Sequence, residues 1–143
     1  MPAIDDVYQE ALLAHAGDIT RNQRLVDPDA SAGAFSRACG SRITVDLKLR
    51  DGRIIDYGQE VDACALGSAS ASIFAKTVVG HTPDELRAAR DAMQAMLKKG
   101  GPPPPDEWSE FKLLEPARDF SNRHGSMMLP FNATVKALDK LEN

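Results

Sequence analysis

Cysteine, histidine and aromatic side chains are scarce in this sequence: 143 residues carry two Cys, three His and only 6% aromatics. Two cysteines exclude a disulfide-stapled secreted scaffold, and they cannot close a four-cysteine metal site on their own. No apolar run approaches the roughly 20 residues that a membrane-spanning helix needs, so no membrane association is expected. The start, Met1-Pro2-Ala3-Ile4-Asp5-Asp6, is acidic and lacks the apolar stretch of a secretory signal. A cytoplasmic location is the expectation. Basic clustering is missing too. Lys plus Arg is 17 against 21 Asp plus Glu, a net charge of −4, and the nearest approach to a basic patch is Lys98-Lys99. That balance argues against a protein that neutralises nucleic-acid phosphates.

What is present is an ordinary globular mixture, 43% hydrophobic and 27% charged. The length suits a single domain over 1–143, with enough interior to fold without staples. Ile4, Val7, Tyr8, Ala11 and Leu12 recur at helical spacing, and Gly17 ends that run. Residues 17–38 have no period and read as an irregular loop. Strict alternation follows at Ile43, Val45, Leu47 and Leu49, a half-buried strand. Asp51-Gly52 signals a hairpin, Ile54 to Tyr57 a return strand, and Val61 with Ala63 a third short strand. Connections this short make the sheet antiparallel.

A run of small residues, Gly67 to Ser72, opens the next helix, expected near 67–79. Such a run fits either tight helix packing or close approach of a ligand. Thr82-Pro83-Asp84-Glu85 is a complete helix start, with a capping box closed by Glu85. The helix should run over 83–99 with Leu86, Ala89, Met93, Met96 and Leu97 inside, and stop at Gly100-Gly101. Pro102 to Pro105 is a rigid spacer, and Asp106 is expected to cap a short helix through Trp108 and Phe111. A last helix is expected over 126–142, with Pro130 in its first turn or kinking it. The fold class is α+β: a three-stranded antiparallel sheet near 42–64 with helices packed on it.

Three residues of ligand type stand where elements meet: Cys39 before a strand, Cys64 between strand and helix, and His124 before the last helix. Junctions of this kind bring side chains together on a rigid frame. Spacing alone leaves the bland reading, three packed or solvated residues, ahead of a shared site.

The order of these pieces resembles the iron–sulfur cluster assembly scaffolds, namely the IscU and SufU proteins and the N-terminal domain of NifU. Val7-Tyr8-Gln9-Glu10 with His15 and Arg21-Asn22 is similar to the family's first helix. Ala38-Cys39-Gly40, its strand and the Asp51-Gly52 turn are similar to the first-cysteine hairpin. Ala63-Cys64-Ala65-Leu66-Gly67 and the serine-rich helix resemble the second-cysteine loop. The long 84–120 stretch with Glu115-Pro116-Ala117-Arg118 resembles the insertion of the SufU type, so 100–121 is taken as a Pro-rich insertion and short helix.

The resemblance implies a non-enzymatic scaffold that binds iron, zinc or an iron–sulfur cluster through Cys39, Cys64 and His124. It also implies a cysteine desulfurase or another iron–sulfur assembly protein as partner. Two positions depart from the family pattern. Ser41 stands where the family has an aspartate, and Gly125 where the IscU version has its third cysteine. These departures keep two other readings open: an interaction module without metal chemistry, and a sulfur-transfer partner that accepts persulfide on Cys39 or Cys64.

Overall fold

Alternating apolar residues need a partner face, and in the computed structural model, which describes residues 10–142, they find it in two helices. The elements in chain order are α1 (Glu10–Gly17), β1 (Ala30–Ser36), β2 (Ser41–Arg50), β3 (Arg53–Asp62), α2 (Ala65–Thr77), α3 (Pro83–Lys99) and α4 (His124–Glu142). Between α3 and α4 lie two 3₁₀ segments, Asp106–Asp119 and Ser121–Arg123. Of the expected first helix, Ile4, Val7 and Tyr8 lie outside the described residues.

The sheet is antiparallel in the order β1-β2-β3. Its membership differs from the sequence expectation. Residues 53–62 form one continuous strand rather than two, and the third strand is Ala30–Ser36, inside the stretch expected to be irregular. The strand Ala-Ser-Ala-Gly-Ala-Phe-Ser lacks branched residues, so its own propensity is low. Pairing with β2 and packing under α4 impose the extended form. Lys136 and Lys140 of α4 reach over to donate to the Gly33 and Ser31 carbonyls, at 3.4 and 2.7 Å. They cover the side of β1 that has no neighbouring strand.

Ile43, Val45 and Leu47 of β2 and Tyr57 of β3 form the helix-facing side of the sheet and are fully buried. On this layer Phe74 contacts Tyr57, Trp108 and Phe131 at centroid distances of 5.5, 5.6 and 5.0 Å. With Phe111, which contacts Phe131, five of the aromatics form one cluster. The small residues of α2 turn out to be buried stitches. Ser70 donates to the Met127 carbonyl of α4 at 2.6 Å, and Ser72 to the Asp18 carbonyl at 3.2 Å. Gln59 satisfies its buried amide on the Thr20 and Ala71 carbonyls and accepts from Tyr57. Every buried polar atom in this set has a partner, as the low-dielectric interior requires.

α3 forms with both halves of its capping box and a left-handed Gly100, as its signals dictate. After it, the buried residues Trp108, Phe111, Leu114 and Ala117 are spaced by three. That is the 3₁₀ repeat, which stacks every third side chain on one face. Asp106 does not cap this segment: the cap position is Pro105, and Asp106 takes a positive φ of 59°. α4 starts two residues earlier than expected, at His124, so Pro130 lies inside the helix rather than in its first turn.

The other face of the sheet is partly roofed by residues 20–25. Arg21 and Gln23 carbonyls accept from the Gln59 N–H, and a Cβ at Gly58 would meet the Gln23 carbonyl. The roof is pinned by Asp46, fully buried, which accepts from Arg24 Nε at 2.6 Å, Arg24 Nη2 at 3.0 Å, the Leu25 N–H at 3.0 Å and the Ser31 hydroxyl. Burial pushes the Asp46 carboxyl up, but Arg24, Ser31 and Leu25 outweigh it and hold the group below the ordinary carboxylate value. A depressed native pKa adds stability above the unfolded-state value and loses it as pH falls below that value. Asp46→Ala should therefore cost about 2–4 kcal/mol in chemical denaturation at pH 7, since it strands the partners of a buried charge. Asp46→Asn should flatten the loss of stability that the native chain shows on acidification below about pH 4. An unchanged acid limb in that variant would contradict the assignment.

Candidate functional site

The two cysteines and His124 emerge at one end of the domain for separate local reasons. Cys39 lies in the tight turn between β1 and β2, a reversal completed by Gly40 at φ +64°. It is half-buried, and its thiol donates to the Asn122 carbonyl at 3.3 Å. Cys64 is the N-cap of α2, also half-buried, and its backbone N–H donates to the Ser41 hydroxyl at 3.1 Å. His124 is the first residue of α4. Its Nε2 lies 2.7 Å from the Arg118 carbonyl, so a neutral ring carries its proton there and leaves the Nδ1 lone pair available.

These contacts interlock the three. Cys39 holds the residue two before His124, and Ser41, two after Cys39, holds Cys64. The third link is Ser126, two after His124. Its hydroxyl is fully buried and has no hydrogen-bond partner of standard geometry. Its influence falls on the Cys64 sulfur. Burial pushes that thiol up, yet the Gly67 N–H, the Ser126 and Ser41 hydroxyls and the Leu66 N–H together hold it below the ordinary thiol value. Donors at a helix N-terminus favour the thiolate, which is the nucleophilic and metal-binding form.

The site is not a finished cage. Among the described residues no three His, Cys, Asp or Glu side chains stand together closely enough to hold a metal ion. Sequence reasoning had identified the three candidate ligands but not the groups that tune them. Gly67 and Ser126 were visible only as members of a small-residue run and a polar loop. Nothing in the sequence pointed to Ser36, whose hydroxyl would stand 2.7 Å from a Cβ placed on Gly125. A side chain at 125 therefore requires Ser36 to turn away.

Beside His124 a groove of about 540 Å³ runs between α3 and α4, lined by Gln94, Lys98, Ser121, His124, Gly125, Met128 and Asn132. No described helix is long and apolar enough to cross a membrane.

A three-stranded antiparallel sheet under packed helices, with cysteines at a strand turn and a helix cap, has the architecture of the iron–sulfur cluster assembly scaffolds. Residues 5–110 match the NifU-like N terminal domain, and the chain belongs to that family. A solved NifU-like N-terminal structure from Brucella abortus is 48% identical and superposes with a TM-score of 0.94 over 97% of this chain and 96% of that one. The iron–sulfur cluster assembly scaffold protein IscU of Thermotoga maritima is 24% identical over 94% of both chains. IscU of Streptococcus pyogenes is 27% identical over 73% of this chain and 66% of its own length. A SUF-system scaffold from Fervidobacterium islandicum, at 17% identity and a TM-score of 0.82 over 95% of this chain, shares the fold.

The lowered pKa of the Cys64 thiol is measurable. In a Cys39→Ser variant, alkylation of Cys64 by iodoacetamide should titrate with a midpoint below the ordinary value near 8.5. Adding Ser126→Ala should move the midpoint upward. An unmoved midpoint would remove Ser126 from the account of the thiolate.

Proposed function

We propose that this chain is a scaffold that holds iron, zinc or an iron–sulfur cluster as cargo through Cys39, Cys64 and His124. Family membership supplies the frame, and one observation supports extending the reading to these residues: Cys39 in the β1–β2 turn, Cys64 at the N-cap of α2 and His124 at the start of α4 are tied together by the Cys39–Asn122 and Cys64–Ser41 hydrogen bonds. Two thiolates and an imidazole suit Zn²⁺ or iron. Three protein ligands leave a fourth position to be filled from outside, which is the condition for cargo that arrives and leaves. The role is one of holding, not catalysis. Its sulfur source is a cysteine desulfurase or another assembly protein, as suits relatives named iron–sulfur cluster assembly scaffolds.

Ser41 and Gly125 set the limits of this reading. Serine cannot offer the carboxylate that the family pattern has there, and glycine cannot accept sulfur. The absence of a ready three-ligand group among the described residues favours a second reading, a family member that acts by protein contact alone. Metal content separates the two. After anaerobic purification, elemental analysis and the absorbance spectrum should reveal bound iron or zinc in the native chain. Cys64→Ala should lower occupancy more than His124→Ala, because a thiolate brings charge as well as a bond. Ser126→Cys should raise occupancy by placing a third thiolate beside Cys64, whereas Gly125→Cys must first displace Ser36. Metal-free protein in every variant and condition would leave the contact-only reading standing.

A further inference from the structure

β1 is an edge strand, and one of its sides has no neighbouring strand among the described residues. Its pairing with β2 is antiparallel, so the N–H and C=O of alternate residues point together away from β2. The lysine contacts identify those residues. Lys140 donates to the Ser31 carbonyl at 2.7 Å and Lys136 to the Gly33 carbonyl at 3.4 Å, which puts Phe35 on the same side. The two ammonium groups fill acceptors only. Among the described residues nothing accepts from the N–H of Ser31, Gly33 or Phe35, and nothing donates to the Phe35 carbonyl. The edge therefore presents three free donors in a row over five residues, roughly 17 Å of straight chain. It has neither a proline nor a register shift in its pairing, two devices that blunt an edge.

The surroundings define what can pair there. α4 packs on β1 and brings Lys136 and Lys140 to the edge. The acidic residues of that end of α4, Asp139 and Glu142, are turned to Arg87 of α3. On the outer face of the sheet Phe35 is 61% exposed. A second copy of the chain would bring the same two lysines against these, which opposes self-pairing. A strand with carboxylates toward α4 and apolar groups toward Phe35 matches both faces.

We infer that the outer edge of β1 is a docking strand for an extended acidic segment of a partner protein, which adds to the sheet beside β1. Its carbonyls accept from Ser31, Gly33 and Phe35, its carboxylates draw Lys136 and Lys140 off the strand, and its apolar side chains lie against Phe35. β1 runs into the turn that carries Cys39, so the added segment reaches the end of the domain where the cysteines stand. No metal takes part, and the inference stands apart from the metal-holding reading.

The probe is a dye-labelled peptide, Glu-Val-Glu-Val-Glu-Val-Glu, titrated into the full chain by fluorescence anisotropy at about 0.15 M salt. It should bind saturably. In two-dimensional NMR the amides of Ser31, Gly33 and Phe35 should gain protection from exchange, while Ala32 and Ala34, already in the ladder, keep theirs. Gly33→Pro removes a free N–H at a position where an edge strand tolerates proline, and should weaken binding at least about fivefold. Gly33→Ala keeps the N–H and has room for its Cβ, and should stay within about twofold of the native chain. Lys136→Glu with Lys140→Glu should weaken binding about tenfold or more. Lys98→Glu with Lys99→Glu, an equal charge change at the end of α3, should do so by no more than about twofold. If Gly33→Pro does not fold, Glu-Pro-Glu-Pro-Glu-Pro-Glu decides: it has the same charge, cannot form the ladder, and should bind at least about fivefold more weakly. Absence of saturable binding overturns the docking strand. Equal binding of the two peptides, or equal weakening by the two lysine pairs, reduces it to non-specific charge attraction and overturns it as well. Concentration-dependent dimerisation of the peptide-free chain, with the same three amides protected, gives the edge to a second copy and overturns the acidic partner.

Discussion

Everything at the functional end depends on how closely α2 and α4 approach. A Cβ at Gly67 would lie 3.0 Å from the Ala63 Cβ, 3.2 Å from the Ser126 Cβ and 3.3 Å from the Ser126 carbonyl. Only a bare α-carbon lets the two backbones meet there. Pro130 contributes from the other side: without an N–H it cannot bond the carbonyl four residues back, which is that of Ser126. The carbonyl turned toward Gly67 is thus one that α4 itself does not use. Ser70, bonded to the Met127 carbonyl, fixes the crossing one residue further on. Cys64 at the start of α2 and Ser126 near the start of α4 are neighbours because of this crossing.

The legible parts of the fold were those where local physics and tertiary structure agree. The alternation in β2, the Asp-Gly turn and the capping box of α3 each have a short-range cause, and each formed as read. β1 was invisible because its cause is non-local. Ala30, Ala32 and Ala34 carry little strand propensity, and their small side chains matter only once α4 lies over them. The 3₁₀ segment was legible in principle, since residues 108, 111, 114 and 117 repeat at three, a period between those of strand and α-helix. At the site, ligand-type residues could be picked out by chemistry and position. The donors around Cys64 come from three distant stretches of chain, and no sequence window contains them together.

This distribution of donors also bears on the two departures from the family pattern. Ser41 lacks a carboxylate, yet it is placed to hydrogen-bond both the backbone and the sulfur of Cys64. Its effect is to favour charge on the neighbouring Cys64 sulfur. Gly125 faces the Ser36 hydroxyl, which would have to turn away from a side chain there, and borders the groove. Position 41 thus supplies a polar support to Cys64, and position 125 an opening onto the groove.

The 3₁₀ geometry of Asp106–Asp119 has a mechanical meaning. At roughly 2.0 Å per residue these 14 residues extend about 28 Å, where an α-helix of equal length would cover about 21 Å. The segment works as a strap, longer and thinner than a helix, fastened by Trp108, Phe111, Leu114 and Ala117 along a single line. A line of rivets spaced by three keeps its alignment when one whole turn of three residues is added or removed. It is thrown off by about 120° when a single residue is. Inserting or deleting one residue here would therefore unfasten the strap, whereas a change of three would keep its line of contacts.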